Sequence, residues 1–257
     1  MSPHEQWVAF VTIVRKEIKR FTRIWIQTLL PPAITMVLYF IIFGKMVGSR
    51  IGEMGGVSYI DFVAPGLIMM AVLTNAYANV SSSFFSAKFQ RSVEEILVSP
   101  TPNVIILLGY VIGGVARGLA VGVIVTLVAM AFTDLKITHG FVTFFILLMT
   151  AILFSLAGFI NAVYANNFDD ISIIPTFVLT PLTYLGGVFY SISLLPPVWQ
   201  TLSAFNPILH MVDAFRYGML GIADTGLVFA FVELGVLVVV LTLVALYLLK
   251  SGKRLRA

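Results

Sequence analysis

Few residues of this chain could do chemistry. The stretch FQRSVEEILVSPTP, Phe89 to Pro102, carries Arg91, Glu94 and Glu95 in a sequence of which only 11% is charged. The three histidines, His4, His139 and His210, are scattered without metal-ligand spacing, and cysteine is absent. No G-x-S-x-G, H-E-x-x-H or G-x-x-x-x-G-K-[ST] pattern occurs, so nothing points to a nucleophile elbow, a zinc helix or a phosphate-binding loop. The reading is therefore no catalytic residue, no metal ligand, no cofactor bound by this chain and no energy source of its own. What remain are polar groups inside apolar surroundings. Asn75, Asn79, Ser82 and Ser86 recur at steps of four, three and four, and Thr176, Thr180, Thr183 and Tyr184 form a similar stripe. Such stripes serve either interhelical hydrogen bonding or the lining of a conduit. Arg117 interrupts a long apolar run, where a charge must meet a partner, water or a pathway.

The elements that position these groups follow from composition. The chain has 257 residues, 59% of them apolar, and a mean hydropathy of +1.00. That is more apolar surface than one water-facing core can hide, so the surrounding solvent is a bilayer. A spanning helix needs about 20 apolar residues. Six segments qualify: 24–44, 60–85, 104–132, 141–164, 171–190 and 227–249. The net charge of +4 is no nucleic-acid signal, because placement matters more than the sum. Arg15, Lys16, Lys19, Arg20, Arg23, Lys88, Arg91, Lys250, Lys253, Arg254 and Arg256 fall on one side of six spans. Lys45, Arg50, Lys136 and Arg216 fall on the other. The positive-inside rule then puts both termini and the 86–103 loop in the cytoplasm.

Residues 5–23 place Trp7, Val11, Val14, Ile18, Phe21 and Trp25 along one apolar stripe that continues past the helix, with the basic residues largely off it. A basic amphipathic helix beside a span reads as interfacial, lying on membrane lipid. Gly114, Gly118 and Gly122, with Gly109 and Gly113 before them, form a small-residue ridge for either an intramolecular neighbour or a dimer seam. From Ile171 to Val212 no Asp, Glu, Lys or Arg occurs, and Pro196, Pro197 and Pro207 break any continuous helix. A further crossing there, beyond the six, would send the basic tail outside, so 192–222 reads as a helical hairpin entering from the outer face and returning to it, with a hydrophobic loop lying flat on the surface as the alternative. Residues 87–99 place Phe89, Val93, Ile96 and Leu97 at helical spacing, with charges on other faces and Pro100 and Pro102 as a stop. This amphipathic helix fits its own bundle or a partner's groove equally well.

The chain resembles the ABC-2 type permeases, membrane subunits of ABC exporters, over essentially its whole length. RSVEEILVSPTP looks like the family's coupling-helix segment. Leu195-Pro196-Pro197, Asn206-Pro207 and Asp213 to Arg216 match, in order, the landmarks of its most distinctive region. The likeness is nearest to the bacterial permeases of drug, polysaccharide or lipid exporters. It implies a second copy of the chain and two ATP-binding subunits docking from the cytoplasm, with ATP and magnesium on those partners. It makes 87–99 the main lever, through Phe89, Arg91, Val93, Glu94, Glu95 and Leu97, and makes the ANNFDDI loop with Asn167, Asp169 and Asp170 a second contact. Spans one, two and five would line a central route using Asn75, Asn79, Ser82, Thr176, Thr180 and Tyr184. The hairpin of Pro196, Pro197, Asn206, Pro207, Asp213 and Arg216 would cap it. The expected fold is an all-α protein of the bacterial inner membrane, one transmembrane domain over 1–257. On the residues alone, a stand-alone secondary transporter and a membrane assembly protein are the rival classes. The first would require a coupling ion and usually internal repeats, and neither is found.

Overall fold

The computed structural model describes residues 1–252, so the basic tail residues Lys253, Arg254 and Arg256 lie outside the described residues. Helix α1 (Pro3–Arg23) opens with a capping box, in which Ser2 and Glu5 exchange side-chain and backbone bonds, and with proline at its first position. Helix α2 (Trp25–Ile51) is interrupted at Leu29, just ahead of Pro31 and Pro32, and widens to a π-helix over Phe40–Val47. A two-strand hairpin, Glu53–Met54 with Val57–Ser58, leads into α3 (Tyr59–Phe89), whose Ser58 cap accepts from the Asp61 amide. Then come α4 (Ser92–Val98), α5 (Asn103–Met130) and α6 (Gly140–Tyr164). Helix α7 occupies 168–184 in three pieces. Its middle piece, Pro175–Leu179, is π-helical where Pro175 and then Pro181 cannot donate. Two short helices, α8 (Pro197–Ser203) and α9 (Pro207–Leu220), precede α10 (Leu227–Ser251).

Among the described residues, five helices are long and apolar enough to cross a membrane: α2, α3, α5, α6 and α10. The expected span at 171–190 is the shorter α7, because the chain turns at Leu185–Gly187, where Gly187 takes a left-handed φ of 67°. The expected helix at 87–99 is also divided. Residues up to Phe89 complete α3, Gln90 and Arg91 turn a corner with Arg91 left-handed at φ 60°, and only Ser92–Val98 form a separate helix. The stripe of α1 likewise stops short of Trp25, since Ile24 breaks the helix.

Helix α3 is the hub. Its core residues pack against α5, α6 and α9. The glycine ridge of α5 permits this. A Cβ on Gly114 would collide with Ser155 and Val80, and one on Gly118 would lie 3.0 Å from the Ala76 Cβ. Gly109 and Gly113 instead receive Ile13 and Glu17 of α1. The ridge thus serves packing within the chain, on two of its sides.

The core divides into two clusters, one toward each end of the bundle. One joins the C-terminal half of α3 to Val93, Leu107, Val163 and Leu248, and so gathers α1, α4 and the ends of α6 and α10. The other includes Phe62, Val188, Met211 and Phe215, and lies beside the 53–58 hairpin and the 131–139 loop.

Candidate functional site

At the first end, two loops far apart in sequence meet. Phe168, which starts α7, packs edge-on against Phe85 at 4.9 Å and against Phe89 at 5.2 Å. Lys88 Nζ donates to the carbonyls of Val163 and Ala165 at 2.7 and 2.8 Å, satisfying the C-terminal end of α6. Asn167 caps α7 by accepting from the Asp170 amide, and Asp170 accepts from the Asn166 amide. The 87–99 and 165–171 segments therefore form one surface rather than two. Phe89 (63% exposed), Arg91, Glu95, Val98, Asn167 and Asp169 are exposed on it, and Glu94 and Leu97 are half-buried. Val93 departs from its expected place on a partner-facing side. It is 2% exposed and inserted in the core, because the corner at Arg91 turns that face of α4 toward its own bundle.

The polar stripe of α3 is also turned from where its spacing suggested. Between Phe62 and Ala87 the residues left open are Met70, Thr74, Ala78, Ser82 and Ser86, each four positions after the last. Asn75 and Asn79 lie one residue round and are buried, Asn79 completely. Arg20 Nη2 donates to the Asn79 carbonyl and to its Oδ1, both at 2.8 Å, and Arg117 Nη2 donates to Asn75 Oδ1 at 3.0 Å. Of the expected conduit residues on this helix, Ser82 keeps an open edge, while the two amides hold guanidinium groups.

Helix α1 does more than present a basic face to lipid. Glu17 is wholly buried, accepts from Ser83 Oγ at 2.7 Å, and lies 3.5 Å from Arg20 Nε. Lys16 reaches the Tyr110 hydroxyl at 3.5 Å and sits over that ring. The docked face is Ile13, Glu17, Arg20 and Phe21, while Trp7 and Ile18 of the apolar stripe remain exposed. Hydropathy alone concealed Glu17, because an acid three positions before an arginine reads as an exposed helix pair.

Two cavities flank the open edge of α3. One, of about 220 Å³, lies between α3 and α7 and is lined by Met70, Thr74, Tyr77, Thr180, Thr183 and Tyr184 among others. The other, of about 290 Å³, lies between α2 and α3 and reaches Asn75 and Arg117. Met70 and Thr74 border both. Thr180 and Tyr184 line the first cavity, whereas Thr176 is exposed and outside that lining.

At the other end the proline-rich segment is a set of caps and clamps. Pro196 precedes α8 and Pro197 is its first residue, and Pro207 is the first residue of α9. Asn206 accepts from the Ile208 amide and donates to the Leu182 carbonyl at 2.6 Å, tying α9 to the end of α7. Asp213 accepts from the amides of Asp224 and Thr225 and from the Thr225 hydroxyl. Arg216, 2% exposed, lies 3.5 Å from Asp213, donates to the carbonyls of Phe62 and Gly187, and stacks over the Phe62 ring at 3.9 Å. The Asp-x-x-Arg spacing puts the two side chains on one helical face, so the pair neutralises itself while clamping three segments. His210 Nδ1 lies 2.6 Å from Glu233 Oε2 on α10, a pairing across elements that no local spacing could indicate.

A family model described as ABC-2 type transporter matches residues 8–220. The chain is 58% identical to inner membrane transport permease YadH of Escherichia coli K12, with 99% of each chain covered. It is 27% identical to nodulation protein J of Rhizobium leguminosarum bv. trifolii, covering 72% of this chain and 71% of that one. To nodulation protein J of Rhizobium meliloti it is 22% identical, over 84% and 81%.

Proposed function

Because the chain belongs to the ABC-2 type transporter family, we propose that it is the permease subunit of an ATP-driven exporter in a bacterial inner membrane. In this reading two copies of the chain pair, and two separate ATP-binding subunits dock on the end where α4 and the start of α7 meet. ATP and magnesium belong to those partners. The observation that carries the reading is that single exposed surface. Phe89, Arg91, Glu95 and Asp169 stand out from it, while Val93 and the Phe85 ring anchor it to α3. A push on the surface is thereby transmitted to the helix that borders both cavities.

The remaining details rest on the same reading. Helix α7 is the fifth of six crossings, at about 1.5 Å per residue some 25 Å long, enough for a thinned bilayer. Both termini and the 86–103 loop are cytoplasmic, supported by the basic residues gathered at that end. The apolar faces of α2, α7 and α10 are covered by lipid or by the second copy. ATP-driven closure of the partners changes access to the route along α3, with the 192–222 hairpin as its outer cap. Nucleotide can shift that equilibrium only by binding one state better than the other. The apolar surroundings favour an amphipathic, drug-like or lipid-linked cargo.

Co-purification in mild detergent with the ATP-binding subunit tests this. Replacing Glu94 and Glu95 together by lysine is expected to abolish its retention or to uncouple its ATPase activity from transport. Full retention and full coupling in that variant would remove the acidic pair from the contact. Absence of any ATP-binding subunit from the wild-type preparation would overturn the exporter.

A further inference from the structure

Arg117 stands midway along α5, roughly 20 Å by helical rise from either end. A guanidinium at such depth is unfavourable unless it meets a partner or water. Its one hydrogen bond among the described residues goes to a neutral amide, Asn75 Oδ1. Its Nε is buried with no partner. No carboxylate among the described residues lies within 4.0 Å of it. Glu17, which reaches α3 through Ser83, is already engaged by Ser83 and Arg20, and Arg20 occupies Asn79 one turn from Asn75. Two guanidinium groups and one carboxylate therefore face this stretch of α3, leaving one positive charge in excess.

That excess charge borders a void. Arg117 lines the cavity of about 290 Å³ between α2 and α3. Thr35, Thr74 and Asn75 also line it, and Pro32, Met36 and Met70 supply apolar wall. Such an arrangement suits a ligand with one anionic end and one apolar end, since a guanidinium pairs best with a planar or tetrahedral oxyanion. A bilayer lipid in its resting place keeps its headgroup at the interface, far from mid-helix, so an occupant here is one that has left that position.

We propose that this cavity binds the oxyanion head, a phosphate ester or carboxylate, of an amphiphile, with Arg117 as its charge anchor and the Met36–Met70 wall against its tail. The proposal builds on the reading of α3 as the edge of a transport route. Native mass spectrometry of the purified full chain, in neutral detergent and without ATP or partner, tests it. Dodecyl phosphate is expected to give a saturable one-to-one adduct, and dodecyltrimethylammonium none. The adduct should weaken by at least about tenfold in Arg117→Gln, the loss usual when one member of a desolvated charge pair is removed. It should weaken similarly in Thr35→Trp, which fills the cavity and leaves the Arg117–Asn75 bond intact. Thr35→Trp decides the matter if Arg117→Gln does not fold. Arg117-dependent binding of phosphatidylglycerol would support the site and identify bilayer lipid as its source. Displacement of dodecyl phosphate by equimolar inorganic phosphate would overturn the amphiphile in favour of a free anion. Unchanged binding in both variants would overturn the site altogether. Because neither nucleotide nor partner is present, any of these results stands apart from retention of an ATP-binding subunit.

Discussion

Helices α3 and α7 carry similar polar stripes in sequence and meet opposite fates in the fold. Between Phe62 and Ala87, α3 is buried on every side but one. Its amides are taken up by Arg20 and Arg117, and its first turn is held by Arg216 through the Phe62 carbonyl. Along α7, Thr183 is the one buried residue, and the helix is bent by two prolines and a π-turn. The hub is held by charge-assisted hydrogen bonds from three other elements, while its neighbour across the cavity leans on it with a narrow face. A polar stripe therefore has two uses in one bundle. Where basic side chains reach it, it becomes a structural joint. Where none does, it stays available to a cavity.

This contrast can be broken from either side. The largest effect is expected for Asp213→Ala, which leaves the buried Arg216 without its counter-ion and frees the amides of Asp224 and Thr225. Loss of one partner of a buried pair costs about 3–5 kcal/mol. Thermal unfolding followed by size-exclusion in detergent should show loss of most of the folded protein. Glu17→Ala removes the acceptor of Ser83 and the counter-charge of Arg20. A loss of about 1.5–3 kcal/mol is expected, as for other hydrogen bonds to charged groups. The same assay and faster proteolysis after α1 would register it. The smallest effect belongs to Thr176→Val on α7, expected within about 0.5 kcal/mol of wild type. A Thr176 variant as damaging as Glu17→Ala would show that α7 is packed as firmly as α3, and the contrast would fail.

Much of this was legible before the fold. Five long apolar runs became five long helices, because length and hydropathy answer to bilayer thickness. The prolines at 196, 197 and 207 opened helices rather than interrupting them, as their fixed φ and missing donor require. Less legible was anything that turned on azimuth or on distant partners. The spacing of Asn75 and Asn79 left interhelical bonding and conduit lining equally open, and only the arrival of Arg117 and Arg20 showed that both amides hold guanidinium groups. Arg91 is not a residue that advertises a left-handed corner, so Phe89 and Val93 read as one helix when they belong to two. Glu17 and the His210–Glu233 pair gave no local signal.

What the sequence determined by itself was the solvent, the approximate helices and their capping, since these depend on composition and on neighbours within a turn or two. The tertiary structure decided which face of each helix is open, because that depends on which distant side chains arrive. Gly109 and Gly113 let α1 approach α5, bringing Glu17 and Arg20 onto α3. Gly114 and Gly118 let α5 approach α3, and Arg117 reaches Asn75 across that contact. Periodicity states how far apart side chains stand along an axis. Only packing states what they turn toward.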